Sequence, residues 1–290
     1  MTTPPTPQAP HQQQAPVPQQ NWQGAPAGFY ASPIPVRRAT LGDALASEWT
    51  KIRSVRSTMW TLGVMIVLLL GLGLLVAIGV SAADANIGDT PVLSFGFFGV
   101  LLGSICVITL GVMTIASEYG TGMIRTTLTA CPDRARVLTA KAIVFFLLTF
   151  VITTVTTALV GALQMAILGG EAPTGDDWLR ATVGVGLYIA TLGLLSLAVG
   201  SLIRHSAGAI TIMIGVVLLP LVLAMFMFAE SLGDLRQALF EYSIPSQLSA
   251  FYDTSVTGSG PSGWDPLWIM LGVTAVAMAG AYVSLEKRDV

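Results

Sequence analysis

The sequence predicts an all-α integral membrane protein with six transmembrane helices. Its 290 residues are 53% hydrophobic and only 10% charged, whereas a soluble globular domain has about 25% charged residues. Six apolar segments are each long enough, at about 1.5 Å per residue, to cross about 30 Å of hydrocarbon. Basic residues are concentrated in alternate loops between these segments. A single membrane domain therefore accounts for the chain better than two soluble domains.

The N-terminal segment 1–36 is predicted to be a disordered cytoplasmic tail. It is rich in Pro, Gln and Ala and contains no Asp, Glu, Lys or Arg, so it cannot bury enough apolar surface to offset its ordering entropy. It also lacks the basic start and following apolar stretch of a secretory signal, so the first hydrophobic segment is expected to remain as an anchor. A Pro-rich ligand for a partner domain is the functional alternative to a solvated extension.

Residues 37–56 are predicted to form an amphipathic connecting helix. Its apolar face is formed by Leu41, Leu45, Trp49 and Ile52, which recur at helical spacing. Charged residues occupy the other faces, and Thr40 followed by Asp43 resembles a capping box. Trp on the apolar face and basic residues on the polar face favour a position along the inner leaflet. The alternative is a plain cytosolic extension of the first span.

Residues 57–290 are predicted to form the six-span domain. The spans are placed near residues 57–80, 94–116, 142–168, 179–202, 208–229 and 266–285. All 14 Lys and Arg residues except Arg180 and Arg236 lie in the terminal segments and in the loops on one side. Because Lys and Arg near span ends mark the cytoplasmic side, we expect a multi-pass protein of the cell membrane with both termini in the cytoplasm.

The outer segment 230–264 is too long for a tight connection between the fifth and sixth spans. Its apolar residues recur at helical spacing and are interrupted by Pro245. Short re-entrant helices would explain this pattern, since irregular backbone at membrane depth is tolerated when it is buried in protein. A plain outer loop with one surface helix explains it equally well.

Several kinds of chemistry find no support in the sequence. The predicted spans carry no charged residue or His away from their ends, which argues against ion-coupled transport because such groups at depth are expensive and functional. Gln164 and a group of threonines in the third span could line a solute path, although packing is the favoured role. Protease motifs and a P-loop are lacking, so we expect no catalytic residue, no cofactor and no metal in this chain. The net charge of −2 gives no indication of a nucleic-acid partner.

The densest polar segment, ASEYGTGMIRTTLTACPDRARVLTAKA, starts at Ala116 and follows the second span. Cys131-Pro132 is expected to divide it into a short helix and a second helical piece that leads into the third span. Arginines here could pair bidentately with acidic groups of a partner. Enforcement of cytoplasmic orientation alone is the alternative, but it would need neither Glu118 nor the proline.

This segment resembles a pattern found in ABC-2 type permeases, the membrane subunits of ATP-binding-cassette exporters. The E-x-G-T…R…P-x-R…K pattern that follows their second span is matched by Glu118, Gly120, Thr121, Arg125, Pro132, Arg134 and Lys141. The preceding SEWTKIRSVRSTMW is similar to their inner-leaflet connecting helix and the start of their first span. Tyr242 to Ser246 is similar to their Pro-Ser element before the last span. The run Ser246-Gln247-Leu248-Ser249 departs from the small-residue and Gly run of many relatives.

The resemblance implies a type V exporter fold in which two six-span units, this chain and a second copy or a paralogue, bind separate ABC ATPase subunits. It implies that the ATPase binds ATP and Mg. It also implies that the segment from Glu118 to Arg136 is the coupling segment, which docks the ATPase. The implied activity is outward export of a hydrophobic or amphipathic solute. Two alternatives remain: half of a secondary transporter, or a non-transporting membrane anchor or assembly protein that docks a cytoplasmic partner through the same loop.

Overall fold

The structure is a computed structural model that describes residues 39–85, 88, 90–254 and 259–287. The tail predicted for residues 1–36 lies outside the described residues. Within the described ranges every regular element is a helix, and six helices are long and apolar enough to cross a membrane. The predicted fold class, an all-α integral membrane protein, is confirmed.

The six long helices agree with the predicted spans to within a few residues at most ends. They are span 1, Arg56–Ala82; span 2, Val92–Thr121; span 3, Arg134–Leu168; span 4, Gly175–Ile203; span 5, Ser206–Phe226; and span 6, Asp265–Lys287. A connecting helix, Leu41–Ser54, precedes span 1, and a loop helix, Met123–Ala130, lies between spans 2 and 3. We call the end of the bundle with these two helices the basic end and the opposite end the acidic end.

Local sequence explains where the connecting helix begins and ends. Thr40 and Asp43 form the predicted capping box, in which the Thr40 hydroxyl accepts from the Asp43 amide and the Asp43 carboxylate accepts from the Thr40 amide. The basic side chains of Lys51 and Arg53 lie in the last turn, where they favour the negative end of the helix dipole. Extended backbone at Val55 then separates this helix from span 1.

Span 4 lies at the centre of the bundle and is the most deeply buried span, packed against spans 2, 3 and 6. Small residues allow spans 2 and 4 to approach closely: a methyl group added to Gly111 would lie 2.5 Å from the carbonyl oxygen of Gly193. Spans 1, 5 and 6 leave most of their apolar surface exposed. Trp60 near the basic end and Trp268 near the acidic end are also exposed, which is typical of the aromatic belts at the two membrane surfaces.

The largest difference from prediction is at the basic end. Span 3 begins at Arg134 rather than near residue 142, so the second predicted helical piece is the first part of a single 35-residue helix. The first predicted piece is divided at Gly122, which has a φ of 73°, a left-handed conformation that glycine adopts without strain. Residues before Gly122 continue span 2, and residues after it form the loop helix. Cys131-Pro132 separates the loop helix from span 3, as predicted.

At the acidic end, the segment between spans 5 and 6 contains two short helices, Gly233–Glu241 and Ile244–Ser249. Ser243 caps the second helix by accepting from the Ser246 amide, and Pro245 lies in its first turn, where its missing N–H costs nothing. The first helix is mainly exposed, whereas the second and the turn that follows it are buried against spans 2, 4 and 5. The re-entrant interpretation of this segment stays a prediction.

Candidate functional site: a buried ion-pair ring

Four charged side chains form a closed ring at the basic end, and three different helices supply them. Glu48 and Lys51 lie one turn apart on the connecting helix, Glu118 lies in the last turn of span 2, and Lys141 lies about two turns into span 3. Packing of the connecting helix against span 3 and span 1 turns its charged residues toward the bundle. We call these four residues the ion-pair ring.

The ring is closed by four short contacts. Lys51 Nζ lies 2.8 Å from Glu48 Oε1 and 2.9 Å from Glu118 Oε1. Lys141 Nζ lies 2.9 Å from Glu48 Oε2 and 2.6 Å from Glu118 Oε1. Each carboxylate therefore bridges both ammonium groups, and the two positive and two negative charges balance.

The ring is buried, so its charges depend on one another. Glu48 is 5% exposed, Glu118 6% and Lys141 1%, and an unpaired charge in such a position is strongly unfavourable. Lys51 is partly exposed. Burial lowers the pKa of Lys51, but its hydrogen bonds to Glu48 and Glu118 outweigh burial, so the pKa is raised overall and the side chain stays charged. Glu118 Oε2 has no hydrogen-bond partner among the described residues.

The ring also contacts the loop helix. Lys51 Nζ donates to Thr127 Oγ1 at 3.3 Å, and Ile124 is the buried residue that fixes the loop helix against the bundle. Between the loop helix and the connecting helix lies a groove of about 390 Å³, lined in part by Glu48, Lys51 and Cys131. The loop helix is therefore joined to the ring by the hydrogen bond between Thr127 and Lys51.

The arginines of the coupling segment differ in their surroundings. Arg125 is exposed on the loop helix. Arg134 and Arg136 are half-buried: Arg134 Nη1 donates to the carbonyl oxygen of Leu285 at 2.8 Å, and Arg136 Nη1 donates to the carbonyl oxygen of Ala39. These two hydrogen bonds link the start of span 3 to the end of span 6 and to Ala39, two residues before the connecting helix.

The residues predicted for docking thus fall into two groups. Gly120, Thr121, Arg125 and Pro132 are exposed and close together in sequence around the loop helix. Glu118, by contrast, is buried in the ring, and Arg134 and Arg136 donate hydrogen bonds to other parts of the chain. Whether these residues dock an ATPase stays a prediction, but the geometry gives Glu118 an internal role.

The connecting helix directs its apolar residues outward. Leu41 and Trp49 are exposed, Leu45 and Ile52 are half-buried, and Glu48 is the buried residue of the helix. An apolar face that points away from the protein needs a lipid or protein partner. The predicted contact of this helix with the inner leaflet is consistent with this orientation.

Sequence reasoning missed three ring members as site residues. Glu48 and Lys51 were placed among the charged residues on the other faces of the connecting helix, and Lys141 matched the family pattern without a role. The available signal was a balance of two acidic and two basic residues. Glu48 and Lys51 lie one turn apart, and Glu118 and Lys141 flank the loop between spans 2 and 3. Among the described residues, no group of three or more His, Cys, Asp or Glu is arranged to hold a metal ion.

Comparison with known proteins agrees with this architecture. The family described as ABC-2 family transporter protein matches residues 54–290, which include all six spans and the loop helix. No curated protein is significantly similar to the chain. The matched region covers most of the sequence, and the chain belongs to the ABC-2 family of transporter proteins.

Proposed function

We propose that this chain is the permease subunit of an ATP-driven exporter that moves a hydrophobic or amphipathic solute outward. Membership of the ABC-2 family makes it a membrane component of a transporter and implies pairing with an ABC ATPase subunit. The export direction, the solute class and the assembly of two six-span units belong to the proposal. Exposed apolar surface on spans 1, 5 and 6 leaves room for a second copy or a paralogue.

The ion-pair ring is the observation that carries the proposal. It joins the connecting helix, span 2 and span 3, and it reaches the loop helix through Thr127. A protein that only anchored a cytoplasmic partner would need an exposed loop helix but no buried charges behind it. A buried neutral ring has few alternative arrangements of low energy, so it transmits a push on the loop helix to the spans as a unit.

In this mechanism the ATPase contacts the exposed surface of the loop helix. Arg125 offers a planar donor group for a carboxylate of the partner. When the ATPase moves, the loop helix turns about Gly122, and the ring carries the displacement into spans 2 and 3. Glu118 and Lys141 are therefore positioning residues rather than docking residues.

The secondary-transporter alternative has one observation in its favour. Glu118 and Lys141 are buried ionisable groups inside long apolar helices, and such groups can carry protons or ions. They are, however, paired with each other near one end of the bundle. The described residues provide no chain of titratable groups from the ring to the acidic end, which proton transport would require.

The test uses the full chain co-expressed with a candidate ABC ATPase whose gene lies next to its own. The complex is then reconstituted in lipid. Arg125→Glu is expected to weaken co-purification of the ATPase by more than tenfold, because reversal of a docking charge costs about 2 to 5 kcal/mol. Glu118→Gln is expected to leave co-purification intact while lowering solute-stimulated ATP hydrolysis. Arg236→Glu, an exposed reversal at the acidic end, is the matched control for Arg125→Glu.

Three outcomes separate the functions. Loss of ATPase binding in Arg125→Glu together with uncoupling in Glu118→Gln supports the exporter. Loss of binding without any solute-stimulated hydrolysis in the unmodified complex supports the anchor. Solute uptake or release that follows a proton gradient without an ATPase supports the secondary transporter and refutes the proposal.

A further inference from the structure

The acidic end of the bundle encloses a cavity of about 320 Å³, which we call the vestibule. Its lining comes from three separate segments: residues just before and at the start of span 2, residues that lead into and begin span 4, and the buried turn after the helix Ile244–Ser249. A cavity of this size lies at the small end of the range of ligand pockets. It lies within one chain, so a second copy is not needed to form it.

A second, smaller cavity adjoins the vestibule, and we call it the foot. Its volume is about 10 Å³, roughly the room that one water-sized group needs, and Leu93, Ala181 and Tyr252 line both cavities. Gln164 lines this smaller cavity and is fully buried. Its Nε2 donates to the carbonyl oxygen of Gly73 at 3.0 Å, which leaves Oε1 as an acceptor that has no partner among the described residues.

The rim of the vestibule is acidic. Glu171, Asp177 and Asp253 line it, and the basic side chain beside them, Arg180, is already bound. Arg180 donates to both carboxylate oxygens of Asp253, at 2.7 and 2.6 Å, and to Asp177 at 2.8 Å. Glu171 is exposed and makes no ion pair with a described residue. The rim therefore keeps a net negative charge after Arg180 is counted.

The walls between rim and foot are apolar and aromatic. Val92, Leu93, Phe251 and Tyr252 contribute to them, and aromatic faces attract cations as well as flat apolar groups. The site has acidic groups at the rim, apolar walls, and a single hydrogen-bond acceptor at the foot. It therefore favours a ligand whose groups complement these three features in the same order. Such a ligand has an ammonium group, an aromatic or aliphatic body, and a neutral N–H or O–H donor.

We propose that the vestibule binds an amphipathic organic amine. The ammonium group lies among the acidic residues of the rim, the apolar body lies against Tyr252 and its neighbours, and the neutral donor hydrogen-bonds to Gln164 Oε1. As a release site for an exported solute, the vestibule rests on the function proposed above. Its binding can nevertheless be measured on the permease alone, so failure of coupling to an ATPase and failure of this site are distinguishable.

Tryptamine is a suitable probe because it carries all three groups, and two derivatives each remove one of them. N-acetyltryptamine lacks the ammonium charge, and 1-methyltryptamine lacks the ring N–H. Equilibrium binding would be measured on the full chain in lipid nanodiscs. Tryptamine is expected to bind saturably and about fivefold more tightly than either derivative, given the usual strength of a partly exposed ion pair and of one hydrogen bond.

A rim variant tests the same site from the side of the protein. Glu171→Gln is expected to weaken tryptamine binding about threefold and to leave N-acetyltryptamine binding unchanged, because only the charged probe loses an attraction. Asp234→Asn is the matched control, since Asp234 is exposed at the acidic end but does not line the vestibule. Higher salt should weaken tryptamine binding and leave N-acetyltryptamine binding unchanged.

The proposal is overturned by any of three results. These are equal binding of tryptamine and N-acetyltryptamine, equal binding of tryptamine and 1-methyltryptamine, and equal effects of Glu171→Gln and Asp234→Asn on tryptamine binding. Absence of saturable tryptamine binding to the intact chain overturns it as well. Because Glu171 is on an exposed loop and makes no structural ion pair among the described residues, loss of folding does not complicate its variant.

Discussion

The cost of opening the ion-pair ring can be worked from its geometry. Lys141 is 1% exposed and contacts Glu48 and Glu118, so Lys141→Met leaves two buried carboxylates with only Lys51 to balance them. Removal of one partner of a buried pair costs about 3 to 5 kcal/mol. Glu118→Gln leaves two ammonium groups with one carboxylate. The resulting loss in the free energy of unfolding should fall at the low end of that range, because Lys51 is 28% exposed and partly solvated.

The double variant distinguishes a ring from two independent contacts. Lys141→Met with Glu118→Gln leaves Glu48 and Lys51 as a neutral pair, so its cost should be smaller than the sum of the single costs by about 1 to 3 kcal/mol. Free energies of unfolding in mixed detergent micelles with increasing dodecyl sulfate would measure the cycle. Lys287→Met, at the exposed end of span 6, should change stability by no more than about 0.5 kcal/mol. Costs that add to within about 0.5 kcal/mol would refute the reasoning.

Two further predictions test orientation and packing. A cysteine introduced by Thr129→Cys should react with an impermeant maleimide only after cells are opened, and it should react faster than the buried Cys131. A cysteine introduced by Ser231→Cys should react in intact cells. The reverse pattern would overturn the predicted orientation. Gly111→Ala should destabilise the protein by about 1 to 3 kcal/mol because its methyl group would overlap a carbonyl of span 4. Gly79→Ala, which faces open space, should be neutral or slightly stabilising in the same unfolding assay, and equal effects at the two positions would contradict the close approach.

The spans could be predicted because their signal is local. A helix in lipid satisfies its own backbone hydrogen bonds, so a run of about 20 apolar residues is sufficient evidence for it. The error at span 3 has a simple cause. The basic residues from Arg134 to Lys141 lower the local hydropathy, but they do not interrupt the helix, because Asp133 caps it and the next prolines are far away. Hydropathy marks the apolar core of a membrane helix and not its ends.

The burial of Glu48 could not be predicted from the periodicity of the connecting helix alone. In a soluble protein the apolar stripe of such a helix points inward, and Glu48 would lie in solvent. Here Trp49 is 45% exposed and Glu48 is 5% exposed. Glu48 is buried because the bundle offers Lys141 as a partner for its carboxylate. Only the position of span 3 beside this helix determines that outcome.

The polar groups of span 3 show why the site is harder to read than the fold. Lys141 near its start belongs to the ring, and Gln164 near its end lines the foot of the vestibule; about 35 Å of helix separates them. The residues between are apolar or are threonines, such as Thr157, whose hydroxyl bonds back to the carbonyl of Thr153. In the sequence Lys141 and Gln164 look like isolated polar residues at the margins of an apolar run. Their partners, Glu48 and Glu118 for Lys141 and Gly73 for Gln164, are on other helices, so their chemistry becomes visible only when the helices are placed side by side.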